Sequence, residues 1–168
     1  MRRIGLMELN GKKDRIVEAL KYIEKDISNI ITITNLGQVQ VLAKIADQVF
    51  PVKLSGDGLF RMMYILLAIF ANPGSIILID EIETGFHYSM YERLWKLIAE
   101  AAKENNCQII ATTHNYECIE KAVSGIGAAG CEDSFCMYRI EHSDGENRAI
   151  RYDGELTQLS IDMNMEVR

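Results

Sequence analysis

The 168-residue sequence lacks several features that would assign it to a large class of proteins. It has no charged start followed by an apolar run, so no secretory signal peptide is visible and a cytoplasmic protein is expected. Its longest apolar stretch, residues 59–71, is shorter than the ~20 residues that a membrane-spanning helix needs. The net charge of −6 argues against a nucleic-acid-binding protein that works through a broad basic face.

Two kinds of site are also missing. Without a secretion signal, the four cysteines are expected to be reduced thiols. Cys131, Cys136 and His142 follow the spacing C-x4-C-x5-H, but no second close-spaced pair completes four zinc ligands. No G-x-S-x-G elbow is present, which argues against a hydrolase with a nucleophilic serine.

What the sequence does contain is an alternation of helical and strand patterns, typical of an α/β domain. Residues 59–71 are apolar on nearly every face except at Arg61, so this helix is expected in the middle of the fold. Residues 75–79 and 107–113 read as buried strands of a parallel sheet that is covered on both faces. The other predicted helices are 14–27 with Asp14 as cap, 89–104 with a capping box of Ser89 and Glu92, and one from near Asn115 to the glycine-rich segment 124–130.

Shorter strands are predicted on either side of this central part. The length favours a single domain, 1–168, in three parts: 1–53, 54–125 and 126–168. Residues 156–168 read as a short helix or a loose end. The predicted antiparallel strands are 29–34, 39–45 and 48–54, the last at a sheet edge because of Pro51, and a hairpin over 134–152 with its turn at Asp144-Gly145.

The strand–helix–strand unit over 75–113 brings polar side chains to one edge of the sheet. Because parallel strands end on the same side, Asp80, Glu81 and His114 are expected at the edge where α/β sheets bind ligands. A carboxylate there suits Mg²⁺, its neighbour can accept a proton from water, and a histidine can stabilise a terminal phosphate. The set favours phosphoryl transfer, although each residue has a simpler alternative: the acids as a helix cap, His114 as a core histidine.

The loop Ser55-Gly56-Asp57-Gly58 precedes the buried helix. Glycines at a helix N-terminus let a phosphate approach the backbone N–H groups closely. The alternative is a plain tight turn in which Asp57 caps the helix.

Taken in order, these segments resemble the C-terminal half of an ABC-type ATPase head, similar to the AAA-like ATPases related to RecF, SMC and OLD proteins. "LSGDG" resembles the signature motif, although Asp57 stands between its glycines, "SIILIDEIETGFH" resembles the Walker B strand with its D-loop, and "IIATTHN" resembles the switch-histidine strand. The resemblance covers about residues 54–120. It implies a P-loop NTPase-like fold with a partial parallel sheet flanked by helices.

The resemblance also implies a role for each matched residue. Asp80 would hold Mg²⁺ with ATP, Glu81 would be the general base for the attacking water, and His114 would contact the γ-phosphate. In a head-to-tail dimer, a signature loop touches the nucleotide of the opposite head and a D-loop crosses the interface. The residues implied for these two loops are Ser55, Gly56, Gly58, Thr84 and Gly85.

The sequence has no G-x-x-x-x-G-K-[ST], the loop that cradles the β- and γ-phosphates. We therefore expect a half-head that is inactive alone, exposes surface, and works with a second ATPase head or a P-loop-bearing chain, as a homo- or heterodimer. Two alternatives stay open: a catalytically dead module that docks or dimerises, and a metal-dependent nuclease using Asp80, Glu81 and Glu83. Nucleic acid as a partner follows only from analogy with the family.

Overall fold

A computed structural model describes residues 12–35, 38–143 and 145–162 of the chain. Helices and strands alternate through most of this part. No helix in it is both long and apolar enough to cross a membrane. The helices are α1 (Lys12–Leu20), α2 (Asp57–Ala71), α3 (Tyr91–Asn105), α4 (Tyr116–Ala128) and α5 (Gly154–Asp162). The strands are β1 (Ile27–Asn35), β2 (Gln38–Ile45), β3 (Gln48–Pro51), β4 (Ile76–Ile79), β5 (Gln108–Ala111), β6 (Cys136–Ser143) and β7 (Glu146–Asp153).

The strands form three small sheets. β1, β2 and β3 make an antiparallel meander in that order, with β3 at an edge as Pro51 predicts. β4 and β5 pair in parallel, and β6 and β7 form the predicted hairpin. The predicted turn residue Asp144 lies outside the described residues, as do the chain ends 1–11 and 163–168.

Helix α2 lies at the centre of the hydrophobic core, as its sequence predicts. Its acidic first turn suits the positive end of the helix dipole, and the helix stops at Ala71, directly before Asn72-Pro73. After Asp57, Arg61 is the one charged residue of the helix, and both α1 and α3 contact the helix. The buried side chains of α2 are Leu59, Met62, Met63, Ile65, Leu66, Leu67, Ile69 and Phe70.

The unit β4–α3–β5 positions the two strand ends that the candidate site residues follow. Ile76 pairs with Gln108 at one end and Ile79 with Ala111 at the other, so both strands end at the same edge. Helix α3 closes with Asn106 in the left-handed conformation (φ 52°), which satisfies the last carbonyls of the helix.

The prediction that β4 and β5 are covered on both faces is wrong for this chain. Ile77 and Ile79 face the core, but Ile76 is 60% exposed, Leu78 74% and Ile110 49%. The pattern of exposure alternates because neighbouring side chains in a strand point to opposite faces. The exposed surface that the sequence leads us to expect includes this outer face of β4 and β5.

Several predicted boundaries also need correction. α1 ends at Leu20 and not at residue 27, because Ile27 already begins β1. β3 stops at Pro51, and residues 52–54 form a 3-10 turn. The capping box of Ser89 and Glu92 does not form: the side chain of His87 caps a 3-10 turn over residues 88–90, and α3 follows it.

The contact between α3 and α4 generates a testable prediction. A Cβ placed on Gly125 of α4 would overlap the Glu92 carbonyl oxygen and lie 2.9 Å from the Cβ of Trp95. Gly125→Ala should therefore lower the free energy of unfolding by roughly 1–3 kcal/mol, as overpacking does elsewhere.

Gly127 offers the matched control, since nothing lies within 4 Å of a Cβ placed there. Gly127→Ala should leave stability unchanged or raise it by up to ~1 kcal/mol, because alanine favours helix. Chemical denaturation of both variants measures the difference. Equal stability of the two variants would contradict the close α3–α4 contact.

Candidate functional site

The tips of β4 and β5 are joined by one hydroxyl group. The Oγ1 of Thr112 donates a hydrogen bond to Asp80 Oδ1 (2.5 Å) and accepts one from the backbone N–H of Glu81 (2.9 Å). Two backbone bonds continue the strand pairing here, from Thr112 N to Ile79 O and from Ile82 N to Thr112 O. The Asp80 carboxylate is therefore held in a fixed place at the sheet edge.

The same tip is held from the other side by α2. Arg61 donates through Nη2 to the backbone carbonyls of Asp80 (2.5 Å) and Glu81 (2.7 Å). Hydrogen bonds from a charged donor are stronger than neutral ones, at about 1.5–3 kcal/mol each. Arg61, the one basic residue of α2, thus fixes the backbone of both Asp80 and Glu81.

Glu81 occupies a backbone conformation that a residue with a side chain rarely adopts. Its φ is 45°, in the left-handed region, and its side chain is exposed. The Thr84 hydroxyl donates to Glu81 Oε2 at 3.3 Å. Strain of this kind costs on the order of 1–3 kcal/mol and persists only where surrounding contacts enforce it, here those of Arg61 and Thr112.

His114 reaches the site on the loop that follows β5. Its backbone N–H donates to Oε1 of Glu83 at 3.2 Å, which ties this loop to the segment after β4. The next residue, Asn115, caps α4 by accepting a hydrogen bond from the backbone N–H of Cys118, and the helix begins near Asn115 as the sequence predicts. Asp80, Glu81 and His114 thus stand on two loops that are linked at Thr112 and at Glu83.

The carboxylate of Glu83 is the most enclosed acid of the group. Its Oε2 is buried and has no hydrogen-bond partner among the described residues. Burial raises the pKa of the Cys118 thiol, and the negative charge of Glu83 adds to that rise, against hydrogen bonds from Trp95 and Thr113. Burial likewise raises the pKa of Tyr91, with further contributions from Cys118, Glu83 and Glu117. Cys118 is therefore a protonated, unreactive thiol at neutral pH.

The glycine-rich loop packs against the loop after β4. Gly56, not Asp57, is the cap residue of α2, with φ 99° and no side-chain cap. A Cβ on Gly58 would come within 3.0 Å of the Gly85 carbonyl oxygen, and one on Gly85 within 3.3 Å of Asp57 Cβ. A cavity of about 230 Å³ lies beside the two loops, lined among others by Ser55, Gly56, Gly58, Gly85, Phe86 and His87.

The carboxylates that follow β4 fit a metal site in which the protein supplies few ligands. Among the described residues, no group of three or more His, Cys, Asp or Glu side chains is placed to hold a metal ion. Mg²⁺ is commonly held by one or two carboxylates, with water and substrate phosphates as the other ligands. A single well-positioned carboxylate such as Asp80 fits that mode, whereas the two-metal nuclease alternative needs more acids.

Two residues of the site were not assigned a role from sequence. Arg61 was visible as the one charge in an apolar helix, which is a signal for a buried polar contact. Thr112 gave no such signal, because a threonine at the end of a strand is common and its hydroxyl has many possible partners. Its contact with Asp80 depends on the register of two strands separated by a whole helix.

Known proteins resemble this chain both in sequence and in fold. A family model described as "AAA ATPase domain" matches residues 6–119. The ATP/GTP phosphatase of Helicobacter pylori is 31% identical over 114 residues, which cover 66% of this chain and 30% of that protein. The chain thus spans less than a third of the length of this relative.

Solved SMC ATPase heads have the same fold. A chain from a structure described as "ATP-driven dimerization and DNA stimulated activation of SMC ATPases" matches 100% of this chain and 99% of its own, with a TM-score of 0.63 and 16% identity. The SmcHead bound to the C-winged helix domain of ScpA matches 93% of this chain and 45% of its own, with a TM-score of 0.61 and 17% identity. The predicted α/β, P-loop NTPase-like fold is therefore confirmed.

The left-handed conformation of Glu81 makes a stability prediction. Glycine adopts positive φ without steric cost, whereas alanine retains the clash of Cβ with the backbone. Glu81→Gly should therefore be more stable than Glu81→Ala by about 1 kcal/mol, although glycine usually destabilises.

Both variants lose the contact with Thr84 equally, so their difference isolates the backbone term. Urea denaturation of the two proteins measures it. If Glu81→Ala were the more stable of the two, Glu81 would not be strained in the folded chain.

Proposed function

Because the chain belongs to the AAA ATPase domain family, we propose that it is the C-terminal part of an ABC-type ATPase head that binds and hydrolyses ATP. The observation that carries the proposal is the junction of the two strand tips. Thr112 fixes the Asp80 carboxylate, while Glu81 next to it remains exposed and held in a strained backbone. Both side chains are exposed, and a carboxylate held by a hydroxyl next to a second accessible carboxylate suits a metal ligand next to a general base.

Each residue at this edge then has a separate role. Asp80 binds Mg²⁺, which on the nucleotide neutralises charge on the phosphates. Glu81 accepts a proton from the attacking water, and Thr84 orients its carboxylate through the bond to Oε2. His114 contacts the γ-phosphate, on a loop whose backbone is tied to Glu83.

The glycine-rich loop and the loop after β4 face a second nucleotide, which is bound to the opposite head. Ser55, Gly56 and Gly58 contact the γ-phosphate of the nucleotide that is bound to the opposite head. These residues lie at the N-terminus of α2, and a helix N-terminus favours an anion. Thr84 and Gly85 lie in the loop that crosses between heads. The close approach of Gly58 to Gly85 supports this assignment, because one partner surface can then meet both loops.

The proposal requires a phosphate-binding loop that this sequence does not contain. No G-x-x-x-x-G-K-[ST] occurs in the sequence, and the Helicobacter pylori relative is about three times as long as the segment it shares with this chain. We therefore assign the working form to an assembly with a P-loop-bearing chain or segment, paired with a second head. Dimerisation is described for an SMC relative.

One alternative is a module without catalysis that docks on another ATPase. The missing P-loop sequence favours it, since the nucleotide cradle is not encoded here. The two functions differ in turnover: an ATPase part restores hydrolysis when it joins its partner, and a docking module does not.

Glu81→Gln in the completed assembly tests the proposal. The amide cannot act as a base, so kcat should fall by roughly 10²–10⁴-fold while ATP still binds and holds the dimer together. Steady-state hydrolysis and size-exclusion chromatography with ATP measure the two effects.

Glu146→Gln is a suitable control, because Glu146 is an exposed acid on the hairpin, 75% exposed in its side chain. It should hydrolyse ATP at the wild-type rate. Unchanged turnover of Glu81→Gln would remove Glu81 as the base.

A further inference from the structure

Glu83 is an enclosed acid to which the proposed function assigns no role of its own. It lies between Glu81 and Gly85, in the loop after β4, and its Oε2 is buried. That oxygen has no hydrogen-bond partner in the part of the chain that the structure describes. Because a buried acceptor without a donor costs free energy, other contacts must hold the carboxylate in this place.

Two helix starts lie close to this carboxylate. Tyr91 begins α3, and Cys118 lies in the first turn of α4. Burial raises the pKa of both groups, and the negative charge of Glu83 adds to the rise in each. The positive end of a helix dipole favours a carboxylate, so these two helix starts stabilise the charge of Glu83.

The other oxygen of Glu83 holds the loop after β5. Oε1 accepts a hydrogen bond from the backbone N–H of His114 at 3.2 Å. Within the described residues, it is the one hydrogen bond that His114 makes. Thr112 is fixed to β4 by bonds of its own, and Asn115 is fixed to α4 as its cap. The place of His114 between these two anchors therefore depends on Glu83.

We propose that Glu83 is a positioning residue for His114: its carboxylate fixes the loop backbone so that the imidazole meets the γ-phosphate. This inference rests on the proposed ATPase function. The exposed side chain of His114 makes no hydrogen bond to the described residues that would orient the ring, so the backbone bond sets where the ring lies. Glu83 then touches neither the nucleotide nor the attacking water. The alternative is a purely structural tie between the two loops, which would support Asp80 and Glu81 as much as His114.

A double-mutant cycle in the completed assembly separates these two possibilities. Glu83→Ala removes the acceptor of the His114 N–H, and kcat should fall roughly 10- to 100-fold, because a small displacement of a catalytic group costs that much. The KM for ATP should stay within about twofold, since an interaction made only in the transition state affects kcat. In the background of His114→Ala, Glu83→Ala should cause no further loss, because a residue that acts only through His114 then has nothing left to position.

Glu117→Ala is the matched control for this cycle. Glu117 is an exposed acid in the first turn of α4, and its charge also adds to the raised pKa of Tyr91, but the N–H of His114 donates to Glu83. Its replacement should leave kcat at the wild-type value. Losses that multiply in the double variant, or an unchanged kcat in Glu83→Ala, would overturn the proposal.

Glu83→Gln takes the place of Glu83→Ala in the cycle if the alanine variant does not fold. The amide has nearly the same shape and offers the same N–H a neutral oxygen, which is a weaker acceptor than a carboxylate. The loss of kcat should then be smaller than in His114→Ala, and it should again vanish in the His114→Ala background. A loss of the same size in both backgrounds would overturn the proposal in this variant too.

Amide hydrogen exchange of the chain, followed by NMR, tests the positioning without ATP. The backbone N–H of His114 should exchange at least about tenfold faster in Glu83→Ala than in the wild type, because its charged acceptor is lost. Glu117→Ala should leave that rate unchanged. Exchange of the His114 N–H at the wild-type rate in Glu83→Ala would overturn the proposal.

Failure of this inference is separable from failure of the proposed function. If the assembly hydrolyses ATP through Glu81 but the losses of Glu83→Ala and His114→Ala multiply, only the role of Glu83 is wrong. If the assembly does not hydrolyse ATP but exchange at His114 accelerates as expected, Glu83 still positions this loop and the ATPase function fails.

Discussion

The parallel pairing of β4 with β5, completed by the hydroxyl of Thr112, is the constraint on which the site depends. It brings together two segments that are more than 30 residues apart. Each segment ends in polar residues of the candidate site. Helix α3 makes this possible because it returns the chain to the start of the sheet, and Gly125 lets α4 pack closely on it. Without that register, Asp80 and His114 would be unrelated side chains on separate loops.

A second constraint is the one-sided core. Helix α2 fills the inner face of the structure and sends Arg61 to the carbonyls of Asp80 and Glu81. The outer face of the same sheet is exposed to solvent. The ends of β4 and β5 therefore lie where the hydrophobic core meets an exposed surface. The strained backbone of Glu81 is held by Arg61 of α2 and by Thr112 at the end of β5, and its side chain is exposed.

Much of this organisation could be predicted from the sequence. The apolar runs over 59–71 and 75–79 fixed the central helix and strand, and the parallel crossover followed from the alternation of elements. Exposure of Leu78 could not be read from it, since isoleucine and leucine occupy both faces of β4 and no polar residue marks the outer one. The capping box of Ser89 and Glu92 does not form, because His87, two residues before Ser89, accepts the hydrogen bond from the backbone N–H of Ser89 that Glu92 would otherwise accept.

The roles of Arg61 and Thr112 were beyond sequence reasoning for a different reason. Each acts on a residue far along the chain, through an oxygen or nitrogen whose position depends on the packing of whole elements. Local patterns predict which elements form, whereas these contacts depend on how the elements meet. The family match shows that the chain belongs to the AAA ATPase domain family, and these contacts are the physical basis of the proposed site.

The central claim is that this chain carries the catalytic side of a nucleotide site and lacks the side that binds the phosphates. Calorimetric titration of the isolated chain with Mg-ATP tests it most directly. The account predicts no binding in the micromolar range and no release of phosphate by the chain alone. Micromolar affinity together with steady hydrolysis by the isolated monomer would contradict it.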